Sequence, residues 1–120
     1  MTIFILIFTL FVLHIFGTQG LYYSTFFYDK ILHLIGGLTA GLIGIEFFKK
    51  VKIKSNSVVI ILFTVAVGIG WELFEFTWDM VLVKHYGLPV MQLGLADTIG
   101  DLVFDLLGAL LLILIIRRKV

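Results

Sequence analysis

Asp29, Glu72, Glu75, Asp79, Asp97, Asp101 and Asp105 are seven of the eight acidic residues in this 120-residue chain, and each lies within or beside an apolar stretch, with His33 among them. Isolated carboxylates near hydrocarbon are costly, so such groups pair, hold a proton or bind a cation. Carboxylate oxygens with one imidazole are hard ligands, suited to a divalent ion such as Mg²⁺, Mn²⁺, Ca²⁺ or Zn²⁺. Their spacing is helical. Asp29 and His33 are four apart, Glu72 and Glu75 three, and Asp97, Asp101 and Asp105 recur every four residues. Residues so spaced share a helix face, which is how bundle proteins aim carboxylates and histidine at a common metal. The candidate ligands are therefore Asp29, His33, Glu72, Glu75, Asp97, Asp101 and Asp105. Glu72 and Asp101 are also candidate catalytic groups, one of them acting as general base beside one or two bound cations, as in enzymes that act on phosphate esters.

The elements that must position these residues follow from composition. Hydrophobic residues make up 61% of the chain and charged residues 14%, a balance that suits an integral membrane protein rather than a soluble domain. No basic patch interleaved with aromatics points to nucleic acid. There is no cysteine, so disulfides and thiolate metal sites are excluded. A spanning helix needs about 20 mostly apolar residues. Four such helices are expected, over about 2–20, 29–48, 58–81 and 96–116, forming a single transmembrane domain over 1–120. The first lacks the basic start and small-residue cleavage site of a signal peptide and is read as a span.

Lys49, Lys50, Lys52 and Lys54 crowd the link between the second and third spans, and Arg117, Arg118 and Lys119 follow the fourth. By the positive-inside rule both regions are cytoplasmic, so both termini are expected inside and the 17–28 and 82–95 links outside. All four tyrosines (Tyr22, Tyr23, Tyr28, Tyr86) and Trp78 fall in or beside the outer links, as an interfacial belt requires. Asp29 is then at the outer surface with His33 about 6 Å deeper, while Glu72 lies about 10 Å and Asp105 roughly 12 Å below the outer mouth. Only Glu46 falls at the other end, beside the lysines, where a solvated ion pair accounts for it. Three polar stripes in the outer half must turn away from lipid, so they are expected to converge on an outward-opening pocket. Gly36, Gly37, Gly41 and Gly44, with Gly68, Gly70, Gly100 and Gly108, give small faces that allow close helix approach.

The alternatives are concrete. A proton-shared carboxylate network needs no ion and serves only to join the helices. Transport of a cation or small molecule is the other, since intramembrane acids mark such pathways and small bundles form homo-oligomers. Against it, the inner half of these helices is apolar apart from Thr39 and Thr64. Lys30 has two readings, snorkelling to the interface or pairing with a site acid or a substrate phosphate. His14 reads as hydrogen-bonded or interfacial, and His85 as solvated. The segments Asp29-KILHLIGGL and Asp101-LVFDLLGAL align without gaps, with His33 opposite Asp105, as a faint internal repeat.

Three strings resemble a known family: Asp29-Lys30-Ile31-Leu32-His33, Glu72-x-x-Glu75, and Asp97-Thr98-x-x-Asp101-x-x-x-Asp105-x-x-Gly108-Ala109. Together they are similar to the VanZ-like and YjdF-like small membrane proteins over the second to fourth spans. The VanZ-like pattern has Glu-x-x-Gln where this chain has Glu72-x-x-Glu75. It also has an Arg ahead of its last helix and Asn in place of Asp105, so the YjdF-like branch is the closer match. The VanZ-like branch is associated with glycopeptide-antibiotic resistance. The resemblance implies an all-α bundle in the cell membrane. The residues suggest a cation site, and with it a metal-dependent hydrolase or transferase on lipid-linked phosphate. The competing expectations are a transporter and a non-catalytic accessory protein contacting membrane lipids.

Overall fold

Long apolar runs, stopped only by glycine, proline and charge clusters, leave the backbone one way to satisfy its own polar groups in lipid: helices. The computed structural model describes residues 2–25 and 27–117 and is helical throughout, apart from short connectors. Among the described residues four helices are long and apolar enough to cross a membrane: α1 (Thr2–Ser24), α2 (Tyr28–Lys50), α3 (Ser57–Tyr86) and α4 (Leu95–Arg117). Arg118 and Lys119, which support the expected orientation, lie outside the described residues.

Two helices differ in length from the expected spans, each for a local reason. α1 runs on to Ser24, but it is broken at Gly20, whose φ of 127° is open to glycine and strained for other residues. α3 continues through a wide turn at Asp79–Val83 and one further turn, and stops where Gly87 takes φ 64° and its N–H donates to the Val83 carbonyl at 2.9 Å. At its start, Asn56 is an N-cap: the Val59 N–H donates to the Asn56 side-chain oxygen at 3.0 Å. Asn56→Ala should lower stability by about 1 kcal/mol, measured as the midpoint of thermal unfolding in detergent.

The distribution of side chains is inverted relative to a soluble protein. Phe4, Phe8, Leu62, Leu73 and Leu95 are among many large apolar residues facing outward, whereas His33, Thr39, Thr64, Glu72, Glu75, Asp101 and Asp105 are buried. An apolar exterior around a polar interior is stable only when the surroundings are hydrocarbon.

Helix α2 is central and packs most extensively on α4, with α3 against both and α1 mainly against α2. The close approach of α2 and α4 depends on small residues. A Cβ at Gly37 would collide with the Asp105 carbonyl, and one at Gly108 with the Leu34 carbonyl. The two segments of the faint repeat therefore pack directly on one another. At the end that carries Lys49 and Lys50, Phe47, Phe48 and Phe63 cluster and the Arg117 side chain donates to Ser57 Oγ at 3.2 Å. Glu46 is exposed there and makes no ion pair among the described residues.

Candidate functional site

In the half of the bundle away from those lysines, the first turns of α2 and α4 and the second half of α3 bring their polar stripes together. Asp29, Lys30 and His33 come from α2, Glu72 and Glu75 from α3, and Asp97, Asp101 and Asp105 from α4.

Lys30 supplies positive charge from inside. Its Nζ donates to Asp97 Oδ1 and Asp101 Oδ1, each at 2.5 Å, and lies 3.4 Å from Asp29 Oδ2. Its side chain is only 13% exposed, so of its two sequence readings the structure adopts pairing with site acids. Gly100 leaves the room: a Cβ there would come 3.2 Å from Lys30 Cε.

His33 is the second hub. Its Nδ1 is 3.3 Å from Asp105 Oδ1, the pair that the repeat sets opposite one another. Its Nε2 is 3.8 Å from Asp29 Oδ1, 3.8 Å from Asp101 Oδ1 and 4.0 Å from Glu72 Oε1. One imidazole is thus surrounded by carboxylates from three helices. One ligand atom each from Asp29, His33 and Asp101 lies within 4.8 Å of the other two. Ligands bound to one ion at about 2.0–2.5 Å sit on the order of 3–4 Å from each other, so a small contraction would close this set on a cation.

Glu72 is anchored by one oxygen and free at the other. Oε2 accepts from Thr98 Oγ1 at 2.7 Å and from Gln92 Nε2 at 2.9 Å. Oε1 is buried without a hydrogen-bond partner, as is Asp105 Oδ2. Buried carboxylate oxygens are rarely left unpaired, because the lost solvation is uncompensated. Glu75 turns aside, accepting from Trp71 Nε1 at 2.9 Å. Asp79 is apart from the cluster: its two oxygens accept from the Met91 and Gln92 backbone amides at 2.9 and 3.0 Å, clasping the 87–94 connector to α3.

Thr98, Gln92 and Trp71 complete the carboxylate environment and were not singled out as site residues from the sequence. Trp71 had a signal, its place four residues before Glu75 on one helix face. Gln92 had none, since nothing in the connector indicates which way it turns. His14 Nδ1 and Tyr22 OH form a 2.6 Å hydrogen bond, and His85 is exposed and bonded to the Val81 carbonyl.

Beside the cluster lies a cavity of about 340 Å³ between α1, α2 and α3. Asp29, His33, Asp105, His14 and Tyr22 are among its lining, and its other walls are predominantly apolar.

Four apolar helices enclosing a buried charged network define an integral membrane protein that crosses the bilayer several times. The chain belongs to the family described as "Predicted membrane protein (DUF2238)", whose model matches residues 1–120. It is also 36% identical over 107 residues to a Thermotoga maritima protein described as uncharacterized. That match covers 82% of this chain and 52% of the relative, so the chain spans about half the length of the curated relative. No solved structure matches it.

Proposed function

We propose that this protein holds a divalent cation in the carboxylate–imidazole cluster, with the site opening to the outer face of the membrane. The orientation rests on the lysine-rich 49–54 link, which the positive-inside rule assigns to the cytoplasm. The carrying observation is the mismatch of charge: five carboxylates converge on one lysine and one histidine, with Glu72 Oε1 and Asp105 Oδ2 unpartnered. Asp29, His33 and Asp101 are the ligands nearest to closure. Lys30 competes with the ion, because both require Asp101 Oδ1. If Asp101 turned to an ion, Lys30 would keep its contact with Asp97 and have one donor to offer an anionic substrate.

A hard ion beside a carboxylate fixed by one oxygen and free at the other suits metal-assisted hydrolysis or transfer at a lipid-linked phosphate. Glu72 then serves as general base through Oε1, with Asp101 exchanging Lys30 for the ion. The YjdF-like kinship, carried by Asp29-Lys30-x-x-His33, fits the same architecture. Transport has less support: Thr39 and Thr64 donate to the Ile35 and Ile60 carbonyls of their own helices, at 2.7 and 3.0 Å, so they begin no polar path through the other half.

Metal analysis of purified protein equilibrated with Mn²⁺ or Zn²⁺ tests the proposal. About one ion per chain is expected, falling at least tenfold in affinity in Asp101→Asn and in His33→Ala. No binding by the folded native chain at millimolar metal would overturn it.

A further inference from the structure

The cavity is built differently at its two ends. Along its length Phe11 from α1, Leu32 and Ile43 from α2, and Val67 and Trp71 from α3 form an apolar wall. From Leu32 to Ile43 the wall runs about 16 Å, comparable with half of a ~30 Å hydrocarbon core. At the other end stand Asp29, His33 and Asp105. Asp105 is 5% exposed, and its Oδ2, packed against Gly68, has no hydrogen-bond partner. Helix α1 packs mainly on α2 and meets α3 at the His14–Trp71 ring contact, with centroids 5.4 Å apart.

We infer that this cavity receives the hydrocarbon chain of a single-chain amphiphile whose primary ammonium head group sits against Asp105 and Asp29. The charge of the lining selects the head group. An unpartnered carboxylate oxygen calls for a donor, and a primary ammonium offers three donors and a positive charge. A hydroxyl brings one donor and no charge. In this cavity a phosphate head would face Asp29 and Asp105, while the ammonium of Lys30 is directed at Asp97 and Asp101. A volume of about 340 Å³ gives room for one such chain. The head group's main partner, Asp105 Oδ2, lies outside the Asp29, His33 and Asp101 set proposed for the ion, so binding does not require metal; Asp29 is common to both, and the chelator removes that competition.

The test is binding of dodecylamine, dodecan-1-ol and dodecyl phosphate to the full chain in a neutral detergent with chelator present. Trp71 fluorescence is the readout, in a Trp78→Phe background. Dodecylamine should bind at least tenfold more tightly than either of the others, and Asp105→Asn should remove that preference. Gly36→Leu should fill the cavity, because Gly36 lines it and a Cβ there meets only Asp105 Oδ1, at 3.7 Å. It is therefore expected to fold, to keep its metal stoichiometry and to bind none of the three. Equal binding of alcohol or phosphate by the native chain, retained amine preference in folded Asp105→Asn, or full binding by folded Gly36→Leu would each overturn the inference. If Asp105→Asn does not fold, the head-group comparison and Gly36→Leu decide. Metal stoichiometry, measured separately, reports on the ion alone.

Discussion

Lys30→Met should be the most damaging single substitution in the polar core. The methionine keeps most of the apolar stem and removes the charge, so the change isolates the ammonium. Asp101, whose side chain is 2% exposed, would then lose its 2.5 Å partner, and Asp97 would lose its own. Stranding one member of a buried ion pair typically costs roughly 3–5 kcal/mol, far more than the pair contributes over a neutral replacement. The expected fall in the midpoint of thermal unfolding is roughly 10 °C or more. A second variant makes the reading specific. Adding Asp101→Asn to Lys30→Met removes the more deeply buried of the two stranded charges, so the double variant should be more stable than Lys30→Met alone. If the two substitutions simply add, Lys30 acts through packing of its stem and the electrostatic account fails.

The second large effect is expected at the α2–α4 contact. Gly37→Val places a side chain onto the Asp105 carbonyl, and Gly108→Val places one onto the Leu34 carbonyl. The obstacle in both cases is backbone, which cannot rotate away as a side chain can. The loss should therefore exceed the roughly 1–3 kcal/mol usual for overpacking a core. It should also reach the cluster, because Asp105 rides on the same turn. Metal affinity ought to fall together with stability. Gly70→Ala is the control: nothing lies within 4 Å of a Cβ there. Relief of glycine's backbone entropy should make it neutral or stabilising by about 0.5–1 kcal/mol. Size-exclusion profiles after graded heating would separate the three variants.

These two contacts mark the extent of what could be read without coordinates. The spans were legible because an apolar run is a property of the chain itself. The meeting of Asp29, His33, Glu72, Asp101 and Asp105 was legible as well, since a polar stripe on a membrane helix has one acceptable direction, inward. The direction of Lys30 was not. A long stem near a helix end reaches either the interface or a buried acid, and the choice depends on Asp97 and Asp101, which lie on another helix. The clasp of Asp79 on the Met91 and Gln92 amides was hidden for a related reason. It depends on the path of a connector with no periodicity to interpret. The continuation of α3 to Tyr86 shows the same limit from another side: Gly87, rather than the end of the apolar run, sets where that helix stops.

The ion pairs of Lys30 join residues 67 and 71 positions apart in the chain. During biosynthesis a nascent polypeptide will therefore have Lys30 and His33 delivered to the bilayer before α4 has left the ribosome. Until then those groups must rely on interfacial water or on the insertion machinery for company. Arrival of α4 is the event that gives Lys30 its two closest partners, so the polar core around the second helix closes only after two further spans have entered the membrane.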